Sequence, residues 1–115
     1  MPKPDQIQNE ELRALIQSGH ECMRKRQATE AVRAFCDAFM CLLELKPELM
    51  EKKIEFRPGR SMPFLMRWPA LGANLKPESI RAGRPEIEFV RDRFAISEAM
   101  TYYEFVLETA IREGA

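Results

Sequence analysis

Apolar residues recur at intervals of three and four over three parts of the chain, the pattern of helices that bury one face. In residues 10–26, "EELRALIQSGHECMRKR", the positions Leu12, Leu15, Ile16, Gly19, Cys22 and Met23 fall on one side of a helical wheel. Asn9 stands where an N-cap belongs, with Glu10 and Glu11 suiting the positive end of the helix dipole and Arg24, Lys25 and Arg26 the negative end. A short connection at Gln27 to Thr29 leads to "EAVRAFCDAFMCLLELK", where Ala31, Phe35, Ala38, Leu42 and Leu45 keep the spacing. Val32, Phe39, Met40, Cys41 and Leu43 widen that arc, so this helix is expected to be covered on more than one side. Pro47 ends it or opens one more turn through Met50.

Residues 85–113 carry a third such line, Ile96, Ala99, Tyr103, Val106 and Ala110, with Phe89 one heptad earlier. The pattern admits one long helix or a new start at Ser97 and Glu98, and Gly114 supplies a stop. Between the helical parts, Pro58, Pro63, Pro69 and Pro77 forbid a long helix in residues 51–84. "KIEF" and "FLMRW" on either side of "RPGR" suggest a short β-hairpin, and "PESIRAG" a single helical turn. The reading is therefore an all-α protein: an antiparallel helical hairpin over 10–50, a Pro-rich connector over 51–84 and a C-terminal helical segment over 85–113, in one domain.

Composition changes this picture little. A chain of 115 residues with 45% hydrophobic and 31% charged content can bury a core without a disulfide or metal. Cys22, Cys36 and Cys41 lie within apolar helical faces and form no C-x2-C pair, and His20 is the only histidine, so reduced thiols are expected and a zinc site is not. No apolar run reaches the length of a membrane span, and "MPKPDQIQNEE" lacks a signal-peptide core, which suggests a cytoplasmic protein. The net charge is zero but unevenly spread: residues 51–84 hold eight basic and three acidic groups (+5), residues 85–115 three and seven (−4). Segments of opposite sign either complement each other or stay solvated, and the basic one is also the place for an anion or nucleic acid to bind.

The first two helices resemble a tetratricopeptide-repeat hairpin. The residues that carry the resemblance are Leu15, Gly19, Ala31, Phe35 and Ala38, spaced G-x11-A-x3-F-x2-A within residues 12–46. Small residues there allow close helix approach and Phe35 fills the space between. Ser18 and Cys22 stand where the family has leucine and tyrosine, Pro47 comes about a turn late, and no second copy follows. The resemblance implies a protein-interaction role.

Candidate chemistry is sparse. Arg13 and His20 form an R-x6-H spacing on one edge of the first helix, similar to the motif of the helical ribonuclease and nucleotide-binding superfamily known as HEPN, where the pair acts on a phosphate. That resemblance implies a catalytic role for the two residues; the plainer reading is a boundary histidine. Glu98, Glu104 and Glu108 read as a solvated face, and neither a phosphate-binding glycine loop nor a nucleophile elbow occurs. Tyr103 falls on the apolar line of the last helix, while Tyr102 and Phe105 fall on another face, either covering the proline-rich segment or meeting a second chain. In "RPGRSMPFLMRWPALG", Phe64, Leu65 and Trp68 fold back as a lid over the helices, or Trp68 stays at the surface with one or more of Arg57, Arg60 and Arg67 as a binding surface. The function expected is a small non-enzymatic interaction protein, with Arg57, Arg60, Arg67, Trp68 and Tyr102 as contact residues and a protein partner or a second copy as ligand. No cofactor, metal or membrane is called for. The alternative is a nucleic-acid-binding protein or ribonuclease using Arg13 and His20.

Overall fold

The computed structural model describes residues 3–63, 73–76, 78–79, 82, 86–91 and 93–115. The expected all-α class is the one observed: among the described residues three long helices pack together, with short 3-10 turns at Pro4–Gln6 and Pro47–Met50 and short paired strands besides. The chain divides into two compact units, residues 1–46 with 92–115, and residues 47–91.

In the helical unit, α1 (Glu10–Arg24) and α2 (Ala28–Leu45) form the hairpin, and α3 (Ile96–Arg112) packs against both. Asn9 caps α1 as its sequence suggests, its side-chain oxygen accepting from the Leu12 N–H at 2.9 Å. The buried face of α1 is Leu12, Ile16, Gly19 and Met23; Leu15 and Cys22 are only half-buried. Helix α2 buries residues around most of its circumference, Ala31, Val32, Phe35, Cys36, Ala38, Phe39, Cys41, Leu42 and Leu43 among them, because it has a neighbour on two sides. Leu45, at its end, is exposed.

The ends of α1 and α3 use one backbone device with different residues. After α1, the Arg26 N–H donates to the Met23 carbonyl and the Gln27 N–H to the Cys22 carbonyl, the Schellman arrangement. After α3, Gly114 and Ala115 donate in the same way to Ile111 and Ala110. Gly114, the stop expected from sequence, has φ 71°, and Arg26 has φ 62°. A side chain in that left-handed region costs about 1 kcal/mol that glycine avoids. Arg26→Gly is therefore expected to raise the unfolding free energy by about 0.5–1 kcal/mol, read as a higher urea midpoint with unchanged slope.

Helix α3 begins at Ile96, not at residue 85. The Glu98 carboxylate accepts from the Ala95 N–H at 3.1 Å and closes the first turn, so the new start near Ser97 and Glu98 is the one realised. Phe89, placed on the helical line by its heptad spacing, belongs to a strand. In "IEF" the alternation of half-buried Ile87, exposed Glu88 and half-buried Phe89 is the two-residue period of a strand, which overrides the coincidence of spacing.

That strand, β4 (Ile87–Phe89), lies in the second unit and pairs antiparallel with β3 (Ala73–Leu75). The pairing continues through the Lys76 N–H to the Glu86 carbonyl and a 3.5 Å ion pair between their side chains. The unit's other hairpin joins β1 (Lys53–Arg57) to β2 (Arg60–Pro63) about Pro58 and Gly59, the latter at φ 73°. "KIEF" thus forms the expected first strand. The second is "RSMP", because the turn takes only two residues; "FLMRW" lies outside the described residues. Glu78 and Ser79 are helical, as expected of "PESIRAG".

Candidate functional site

The helical unit holds an apolar groove of about 650 Å³ between α1, α3 and the Pro4–Gln6 turn. It is built from Gln17 and His20 on α1 and from Met100, Tyr103, Glu104, Leu107 and Glu108 on α3, with Lys3, Pro4 and Asp5 at one end. Helical spacing explains the arrangement. Met100, Tyr103 and Leu107 follow at three and four and line up along α3, and Glu104 and Glu108 form the row beside them. Over eight residues this surface is about 12 Å long.

Aromatic packing sets the groove's floor. The His20 and Tyr103 rings stack with centroids 5.1 Å apart and planes 29° from parallel. Behind them Phe35 meets Tyr103 at 5.5 Å. Burial pushes the Tyr103 hydroxyl above its ordinary pKa, so it remains neutral over the physiological range. Met100 is exposed, at 39%. None of Asp5, Glu104 and Glu108 is ion-paired with a described residue.

The residues singled out from sequence are dispersed. His20 lines the groove, whereas Arg13 does not: two helical turns away, about 10 Å along the axis, its guanidinium donates to the Ile7 carbonyl at 3.0 Å. Arg13 thereby anchors the N-terminal segment. Arg57 and Arg60 are backbone register partners beside the β1–β2 turn, and Arg60 is exposed. Arg67 and Trp68, with Phe64 and Leu65, lie outside the described residues.

Tyr102 is a correction. Expected at the surface, it is completely buried, its ring edge-on to Phe94 at 6.0 Å, while Tyr103 and Phe105 are half-buried. The buried residues of α3 are Ala99, Tyr102, Val106, Leu107, Thr109 and Ala110, of which Ala99, Tyr102, Val106 and Ala110 keep one helical line. It therefore shares three positions with the line read from sequence and differs in which of two adjacent tyrosines it includes. Phe94 is held beside it, its N–H donating to Thr29 Oγ1 at 3.2 Å.

No protein-family model, curated protein or solved structure matches this chain.

Among the described residues no group of His, Cys, Asp and Glu is placed to hold a metal, and no helix is long and apolar enough to cross a membrane. None of the cysteines forms a disulfide; Cys36 and Cys41 are buried and Cys22 is half-buried. Burial, reinforced by the Glu11 and Glu44 carboxylates, pushes the Cys41 thiol from 9.0 up to about 11. A raised acid favours its protonated form in the fold. Its contribution to stability is therefore intact below pH 9.0 and disappears as pH rises through about 11. Wild type is expected to lose about 1–2 kcal/mol more than Cys41→Ala between those limits, with urea midpoints across the range as the measure. An identical pH slope in both proteins would rule this out.

Proposed function

We propose that the chain is a small non-enzymatic interaction protein whose helical unit offers the α1–α3 groove to a segment of a protein partner. The supporting observation is the groove itself: an apolar line of Met100, Tyr103 and Leu107 on an ordered helix, with a volume in the range of ligand-binding clefts. The tetratricopeptide-like spacing of Gly19, Ala31, Phe35 and Ala38 points to the same class of role. A second copy of the chain is the first partner to test, by sedimentation at two concentrations; a monomeric mass at both removes the homodimer.

Groove binding is tested with a short capped peptide of leucine and glutamine in amphipathic helical order, titrated into isotopically labelled protein. Amide shifts clustered at Gln17, His20, Met100, Tyr103 and Leu107, and lost in Met100→Asp, are expected. Shifts scattered over the surface, or none, would count against the reading. The competing ribonuclease or nucleic-acid role has in its favour only that His20 reaches a groove, since Arg13 is committed to the Ile7 carbonyl. RNA cleavage that disappears in both His20→Ala and Arg13→Ala would displace the interaction reading.

A further inference from the structure

Resting on that reading, we infer that the groove's partner segment is a basic amphipathic helix, with apolar residues on one face and lysine or arginine along its edge. Charge comes first. Among the described lining residues, Asp5, Glu104 and Glu108 set three carboxylates at the rim against the ammonium of Lys3. None of the three is neutralised by an ion pair within the described chain. The nearby arginine of α1, Arg13, points its guanidinium at the Ile7 carbonyl and does not line the groove. An acidic segment would meet uncompensated repulsion here, and a basic one would meet attraction at every rim carboxylate.

Shape comes second. The apolar positions Met100, Tyr103 and Leu107 form a stripe along α3, exposed at Met100, half-buried at Tyr103 and buried at Leu107, with Glu104 and Glu108 as an exposed acidic row one position over. Such a stripe matches a helix that presents anchors at i, i+3 or i+4 and i+7, the helix-in-groove mode of recognition. The same row places a carboxylate beside each of two successive turns of the incoming helix, which fixes where its basic residues must lie. His20 and Gln17 close the opposite wall from α1. The aromatic face of Tyr103, stacked with His20, gives an apolar anchor a rigid floor.

The test uses the whole chain and three short capped peptides with one leucine pattern, their edge positions filled with lysine, glutamine or glutamate. The lysine peptide is expected to bind about three- to tenfold more tightly than the glutamine peptide, as two exposed ion pairs allow. Its amide shifts should map to Gln17, His20, Met100, Glu104 and Leu107. Glu104→Gln with Glu108→Gln should bring the lysine and glutamine peptides toward equal affinity; both side chains are exposed, so the fold is spared. Added salt should reduce the lysine advantage. Equal binding of all three peptides at the groove overturns the basic-helix inference and leaves the groove reading standing. Failure of every peptide to shift the groove residues overturns both.

Discussion

Gly19→Ala is expected to destabilise the helical unit by about 1–2 kcal/mol, although alanine is the better helix former. In an unconstrained helix interior the exchange would favour the fold by up to about 1 kcal/mol, so a net loss isolates the packing term. The cause is Phe35. A methyl group at Gly19 would stand 2.7 Å from Cδ1 and 2.8 Å from Cζ of that ring, and closer still to Cε1. The ring has no way to retreat: Phe35 is completely buried and lies against Tyr103. Either α1 moves off α2, or the ring is forced from its rotamer, and both loosen the contact that aligns the hairpin.

The larger Gly19→Val should be worse than Gly19→Ala. Trimming the obstacle should help: Phe35→Leu, itself destabilising, is expected to cost less in the Gly19→Ala background than in wild type, a coupling of about 1 kcal/mol by double-mutant cycle. Urea unfolding of the four proteins provides the measure. A higher midpoint for Gly19→Ala would mean that close helix approach is not what glycine supplies here.

This contact was readable from sequence because its reason is local and steric. A glycine in the middle of an apolar helical face, twelve residues before an alanine and sixteen before a phenylalanine, has few explanations besides close packing of two helices. The N-cap at Asn9 and the stop at Gly114 were legible for similar cause, since each residue satisfies backbone groups within its own turn. The stop at Arg26 was not, because nothing in an arginine announces a left-handed conformation. The start of α3 was legible only as one of two options, and Phe89 misled because three residues of strand alternation are outvoted by a heptad coincidence.

The groove was harder still. His20 attracted notice as the lone histidine, but its neighbours in space, Met100, Tyr103, Glu104 and Leu107, come from a helix some eighty residues later in the chain. Helical periodicity tells which residues of α3 share a face, and it gives no information on which face meets α1. The i, i+4 pair Glu104 and Glu108 was correctly read as exposed. Its place beside an apolar stripe depends on how α3 is rotated, and that rotation is fixed by tertiary packing alone.

That rotation makes the second large prediction. Tyr102→Ala is expected to cost about 3–5 kcal/mol, a large share of the roughly 5–15 kcal/mol that holds a small domain together, and to lower the melting temperature by about 15 °C or more. Tyr102 is completely buried and its ring stands edge-on to that of Phe94, with planes 82° apart, so its removal leaves a cavity in a packed core. Tyr103→Ala removes a half-buried ring and should cost clearly less stability, while stripping the groove of its floor and weakening the peptides described above. The two adjacent tyrosines thus separate folding from binding. Periodicity could not do so, because both continue a line through Ala99, Val106 and Ala110; what distinguishes them is that α3 turns Tyr102 toward Phe94 and Tyr103 toward His20 and Phe35. Equal destabilisation by the two substitutions, or a greater loss from Tyr103→Ala, would mean that the helix is rotated the other way and that the groove lies on a different face.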